Sequence, residues 1–177
     1  MKSLPEITLS LQDTEWPFEY TDHDRQIARA MVIDDDMNFY FAGAHRDDIF
    51  GKGFFIETAG GGIEEGEDQI TAVKRELKEE LGVEVEVLCK LGVVDDYYNP
   101  IHRHNIIHYF LCKIVSFGER HLTDYEANDF DMTTMVKTYK EAVAEYEKLT
   151  DQKLGRLLAN RELPILKRAA EVLEISE

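Results

Sequence analysis

Cysteine, proline, tryptophan and positive charge are all scarce in this 177-residue chain. Two cysteines, Cys89 and Cys112, cannot build a disulfide framework, and isolated thiols suit a reducing compartment, so the expected location is the cytoplasm. Four prolines, no Ser/Gly/Pro-rich stretch and no internal repeat leave nothing that reads as a linker. Apolar runs such as Ile106–Cys112 fall far short of the ~20 residues of a membrane-spanning helix. No apolar leader follows Met1, so no export signal is expected. Lysine and arginine number 20 against 36 acidic residues, a net charge of −16, which argues against a general nucleic-acid binder with a basic, phosphate-facing surface. An acidic chain that takes an anionic substrate needs local cations or a metal ion to offset the repulsion.

With 44% apolar and 32% charged residues, the composition fits one globular domain over residues 1–177. Residues 1–25 read as irregular, with Pro5 and Pro17 as breakers. Ile27–Ile33 and Asn38–Ala42 read as a hairpin around Asp34-Asp35-Asp36, residues 43–53 as a loop, and Phe54–Ile56 as a short strand. Glu67–Leu81 has helical periodicity and Gly82 stands where a C-terminal cap belongs. Val83–Leu88 alternates apolar and acidic residues, a further strand is expected through Val93, His104–Val115 is a nearly all-apolar strand, and Thr133–Thr138 reads as another. Tyr139–Leu149 is helical. The C-terminal segment 151–177 is expected to close on a helix from Leu163 to Ile175, with Pro164 in its first turn. Strands mixed with three helices predict an α/β sandwich on a mixed sheet.

The chemistry concentrates in residues 60–83. On a helix, Ile70, Val73, Leu77 and Leu81 form one apolar stripe, while Glu76, Glu79 and Glu80, at i, i+3 and i+4, converge on the face beside it. Like charges so crowded raise one another's pKa values, and a hard divalent cation such as Mg²⁺ relieves the repulsion. A lone E-x-x-E-E is more often a solvated helix face. Here, however, Gly60-Gly61-Gly62 precedes it, a run that lets backbone approach a ligand or metal closely.

Residues Gly61, Glu67, Arg75, Glu76, Leu77, Glu79, Glu80, Gly82 and Val83 fill every defined position of G-x5-E-x7-R-E-U-x-E-E-x-G-U, where U is aliphatic. By this motif the chain resembles the Nudix hydrolases (MutT-like). The usual P-G-G lead-in stands here as Ala59-Gly60-Gly61, lacking only its proline. The strand order around the box extends the resemblance over roughly residues 27–150 and implies the Nudix α/β/α sandwich with a mixed β-sheet.

The resemblance implies Mg²⁺- or Mn²⁺-dependent hydrolysis of the pyrophosphate bond of a nucleoside diphosphate linked to another moiety, either a nucleoside triphosphate or a nucleotide sugar such as ADP-ribose. It implies Glu76, Glu79, Glu80 and the Gly60 carbonyl as metal ligands, and Arg75 with Glu67 as the pair that orients the helix. The general base is expected either in the box, as Glu79, or on a later loop, where Glu126 of Thr123-Asp124-Tyr125-Glu126 is a better candidate than Asp124 or Glu119. Arg46, Lys52 and Arg103 are candidate phosphate contacts. His102-x-His104 lacks a third ligand at zinc-binding spacing. The expected partner is a small-molecule nucleotide, with no nucleic acid and no membrane, and a homodimer is compatible with the resemblance. The alternative is a non-catalytic Nudix-like nucleotide-sensing module. Such modules usually lose box carboxylates, and none is lost here.

Overall fold

A computed structural model describes residues 1–175. Eight strands form one mixed sheet: β1 (Ile7–Ser10), β2 (His23–Ile33), β3 (Phe39–Asp48), β4 (Gly51–Glu57), β5 (Ala59–Gly62), β6 (Val83–Tyr98), β7 (Arg103–Phe117) and β8 (Thr133–Lys137). The main order is β1-β6-β7-β2-β3-β4, with β5 paired to β2 and β8 to β3. β2 runs parallel to β7, and the β6–β7 and β3–β4 pairs are antiparallel. Helix α1 (Gln69–Leu81) covers one face, while α2 (Tyr139–Leu149) and α3 (Lys153–Leu173) pack on the other.

The alternation of β2 explains this sandwich. Ile27, Met31 and Ile33 point into the core shared with α2 and α3, and Ala28, Ala30 and Val32 into the core under α1. Small alanines on the α1 side let that helix lie close to the sheet. On α1 itself Ala72, Val73, Leu77 and Leu81 are buried, whereas Ile70, expected in the stripe, is 39% exposed near the helix start.

Four local expectations are corrected. Residues 43–53 are not a loop: β3 continues to Asp48 and turns into β4. Their glycines and charges imitate a loop, yet Gly43 is required in the strand, because a Cβ there would lie 2.5 Å from the Phe54 ring. The segment 1–25 is not wholly irregular, since β1 adds to β6 in parallel. The strand over Val83–Leu88 and the further one through Val93 are a single strand, β6, which runs on to Tyr98 past register shifts at Val87/Cys89 and Lys90/Gly92 that interrupt its alternation. Helix α3 begins ten residues before Leu163, so Pro164 lies inside it rather than in its first turn. The carbonyl that Pro164 leaves without its helical partner belongs to exposed Asn160, where water can satisfy it.

Leu77 is fully buried under the sheet. Leu77→Ala is expected to lower unfolding free energy by about 2–5 kcal/mol, while Ile70→Ala costs less than about 1 kcal/mol; urea denaturation of both variants checks this.

Candidate functional site

Helix α1 is anchored at both ends by its own sequence. Asp68 accepts from the Ile70 and Thr71 amides at 2.9 and 3.0 Å, and Gly82 takes the left-handed conformation (φ 66°) that closes the last turn. Between these caps the helix touches each residue of the glycine run. The Gly60 N–H donates to Glu80 Oε2 at 2.8 Å. A Cβ on Gly61 would lie 2.5 Å from Glu76 Oε2. The Gly62 carbonyl accepts from Arg75 Nη2 at 3.0 Å. Gly60, at φ 138°, adopts backbone that side chains disfavour, and a Cβ there would also strike the Ala28 carbonyl at 2.2 Å.

Arg75 is the clamp of this corner. It makes a two-pronged contact with Glu67 at 2.9 Å and reaches Glu76 at 2.7 Å and Glu79 at 3.4 Å. The hydrogen bond from Arg75 holds the Glu67 carboxyl below its ordinary pKa. Arg75 thus engages Glu79 at i+4 as well as Glu67, which precedes the helix.

The glutamates differ sharply in environment. Burial pushes Glu80 up to about 8, against the pull of Arg29 and the Gly60 amide, with smaller repulsion from Glu76 and Glu126. Burial also raises Glu76, against the pull of Arg75. Glu79 keeps a 40% exposed side chain. Among the described residues no three carboxylate, imidazole or thiol groups already stand in metal-ligating geometry, because Arg75 draws Glu76 and Glu79 to itself. The donor chemistry nevertheless fits a hard divalent cation. Carboxylate oxygens of Glu76, Glu79, Glu80 and Glu126 line the same cavity, and the burial that raises the Glu80 carboxyl is a cost that a divalent cation would relieve.

These groups line a cavity of about 670 Å³. Glu126 lies on its wall, fixed by the Thr123 amide and hydroxyl, both at 2.8 Å, within the wide turn Tyr125–Asp129. Asp124 and Glu119 do not line it. Arg46 and Arg103 do, whereas Lys52 is exposed outside it and pairs with Asp47 at 2.5 Å. His102 stacks on Tyr20 and His104 on Tyr97, away from the cavity.

Among the cavity residues that sequence reasoning missed are Arg25, Arg29, Glu57 and Arg161. Glu57 bridges Arg29 at 3.3 Å, Arg161 at 3.2 Å and Arg46 at 3.7 Å, and these cations hold its carboxyl below its usual pKa against the cost of its partial burial. Arg161 arrives from α3 and also bonds Asp96 and Tyr98, each at 3.0 Å. A signal was available for Arg29, a charge inside the apolar run Ile27–Ile33. Arg161 has no local signal, because its partners lie 63 or more residues away in sequence, apart from adjacent Glu162.

A profile of the NUDIX domain matches residues 24–153. No curated protein matches the chain in sequence. Among solved structures, the chain is similar to a NUDIX hydrolase from Nitrosomonas europaea, with a TM-score of 0.64 and 16% identity, over 88% of this chain and 97% of that one. It is also similar to a MutT NUDIX hydrolase from Burkholderia pseudomallei (TM-score 0.54, 19% identity, 67% and 86% covered). A third is the E. coli ORF135 protein (TM-score 0.54, 20% identity, 87% and 95% covered). At these identities the likeness is one of fold.

Gly61→Ala places a methyl group against the Glu76 carboxylate. The variant is expected to retain its circular dichroism spectrum but bind Mn²⁺ about tenfold or more weakly by calorimetry, since displacing a supporting contact typically costs that much.

Proposed function

Because this chain belongs to the NUDIX family of pyrophosphohydrolases, we propose that it hydrolyses the pyrophosphate bond of a nucleoside diphosphate linked to a second moiety, with Mg²⁺ or Mn²⁺ as cofactor. The observation that carries this reading is the fully buried Glu80, packed with Glu76 against a glycine run and facing a cavity that also holds Glu79, Glu126 and six arginines. A buried like-charge cluster costs stability and points to function when it lines a cleft. A sensing module that only binds a nucleotide has no need of it.

In this reading Glu76, Glu79 and Glu80, with the Gly60 carbonyl, hold the cation. When bound, a divalent ion polarises the phosphate oxygens and makes hydroxide available at neutral pH. Glu79, the most exposed of the three, or Glu126 on the same cavity accepts the proton from the attacking water. The water oxygen bonds to phosphorus, the bridging P–O bond breaks, and its electron pair leaves on the departing phosphate. Arg75 keeps its partner carboxylates in place and is a positioning residue. Arg46 and Arg103, which line the same cavity, meet the phosphates.

The test is phosphate release from a panel of nucleoside triphosphates, ADP-ribose and dinucleoside polyphosphates, with and without Mg²⁺. Metal-dependent turnover is expected; silence across the panel with nucleotide binding retained establishes the sensing alternative instead. Glu80→Gln should lower kcat by about 100-fold or more with the fold intact, and wild-type turnover in that variant refutes the metal assignment. Glu126→Gln should lower kcat by about 100-fold if it is the base, and Glu79→Gln takes that role if it does not. Chelation with EDTA should abolish turnover and leave the far-ultraviolet circular dichroism unchanged.

A further inference from the structure

Six arginines face the cavity: Arg25, Arg29, Arg46, Arg75, Arg103 and Arg161. Four are neutralised within the fold. Arg75 pairs with Glu67, Arg46 with Asp48 at 2.8 Å, and Arg29 and Arg161 share Glu57. Arg25 and Arg103 have no ion-pair partner among the described residues. They stand on neighbouring parallel strands, where Arg103 is in register with His23 and Arg25 with Asn105. Their Cα atoms are therefore offset by two residues on the same sheet face, a separation of about 8 Å. Arg103 packs its guanidinium over the Tyr98 ring at 5.5 Å, and its buried Nε lacks a hydrogen-bond partner. Two adjacent uncompensated guanidiniums repel each other, and the repulsion is relieved by an anion held between them.

The position of the pair says which anion. A Cβ on Gly62 would lie 3.1 Å from Arg25 Nη2, so this guanidinium lies against the third residue of the glycine run whose first two residues meet Glu80 and Glu76. From Gly60 to Gly62 along the strand is about 7 Å. The pair thus lies at the far end of the glycine run from the Gly60 amide that Glu80 engages.

We infer that Arg25 and Arg103 form a separate anion subsite that takes a third phosphate, so that the substrate is a nucleoside triphosphate or longer polyphosphate rather than a nucleotide linked to a neutral sugar. This rests on the hydrolase reading above. A neutral sugar at the same place leaves two guanidiniums desolvated without a counter-charge, which discriminates against it.

The experiment uses the full chain and two readouts. First, inorganic tripolyphosphate is titrated by calorimetry without divalent metal into the wild type, Arg25→Ala and Arg103→Ala, with Arg25→Lys as the charge-conserving control. Each alanine variant is expected to bind about tenfold or more weakly, with partial recovery in the lysine variant. Undetectable binding to the wild type, or equal binding to wild type and alanine variants of unchanged melting temperature, overturns the subsite. Second, kcat/KM with Mg²⁺ is compared for a nucleoside triphosphate and for ADP-ribose. The wild type is expected to prefer the triphosphate, and that ratio should fall at least about tenfold in either alanine variant. A wild-type preference for ADP-ribose, or an unchanged ratio, overturns the substrate assignment. Loss of tripolyphosphate binding in the variants, with no turnover of any compound by the wild type, leaves the subsite standing and removes the hydrolase reading instead.

Discussion

The close approach of α1 to the glycine strand β5 is the constraint on which the rest of this site depends. Three successive glycines each receive a different contact from the helix: an amide to Glu80, an open Cβ position filled by the Glu76 carboxylate, and a carbonyl bonded by Arg75. Any side chain at the first two positions collides with backbone or with a carboxylate. The approach in turn requires a shallow sheet surface beneath the helix, which Ala28, Ala30 and Ala59 supply. A larger residue there lifts the helix, and the carboxylates lose their common focus.

Charge is distributed by a second constraint. A chain of net charge −16 gathers six arginines around one cavity and neutralises four of them internally. Buried ion pairs of this kind seldom add stability over an apolar packing, because desolvation consumes most of the attraction. Their effect is positional. Arg161 ties α3 to β4 through Glu57 and to β6 through Asp96, so the floor of the cavity is fixed relative to both. The field of the arginines then opposes the acidic surface where an anionic substrate must enter.

How much of this was legible in the sequence follows from the range of the interactions. Helix α1 is set by local signals, with Gly82 as its cap and the Glu67–Arg75 pair spanning two turns, and its carboxylate face was read from spacing alone. Ile70 was misassigned because periodicity counts positions and ignores that the first turn of a helix overhangs the core. The β3–β4 hairpin and β1 escaped because their identity comes from partners elsewhere: Gly43 is explained by Phe54, and Ile7 by its pairing with Gly92. The arginine–Glu57 network escaped for the same reason, since nothing near Arg161 in sequence announces a carboxylate 104 residues away. Glu126 was reachable as a loop acid, but its turn toward the cavity depends on the Thr123 bonds that pin it.

The two poles of the cavity impose different demands on the fold. At the carboxylate pole, burial holds the Glu80 carboxyl well above the ordinary carboxylate range, a cost that a bound cation would relieve. At the arginine pole, Glu57 and Asp96 supply counter-charge to Arg29 and Arg161, while Arg25 and Arg103 have no ion-pair partner among the described residues. Neutralisation deep inside and charge excess near the mouth is the arrangement expected if the protein must stand alone as a stable fold yet release its remaining electrostatic strain on binding. A polyanion bridging the poles meets the bound cation at one end and Arg25 and Arg103 at the other. Binding energy gained at the arginine end then fixes the scissile bond against the glutamates, where positioning within a fraction of an ångström governs rate.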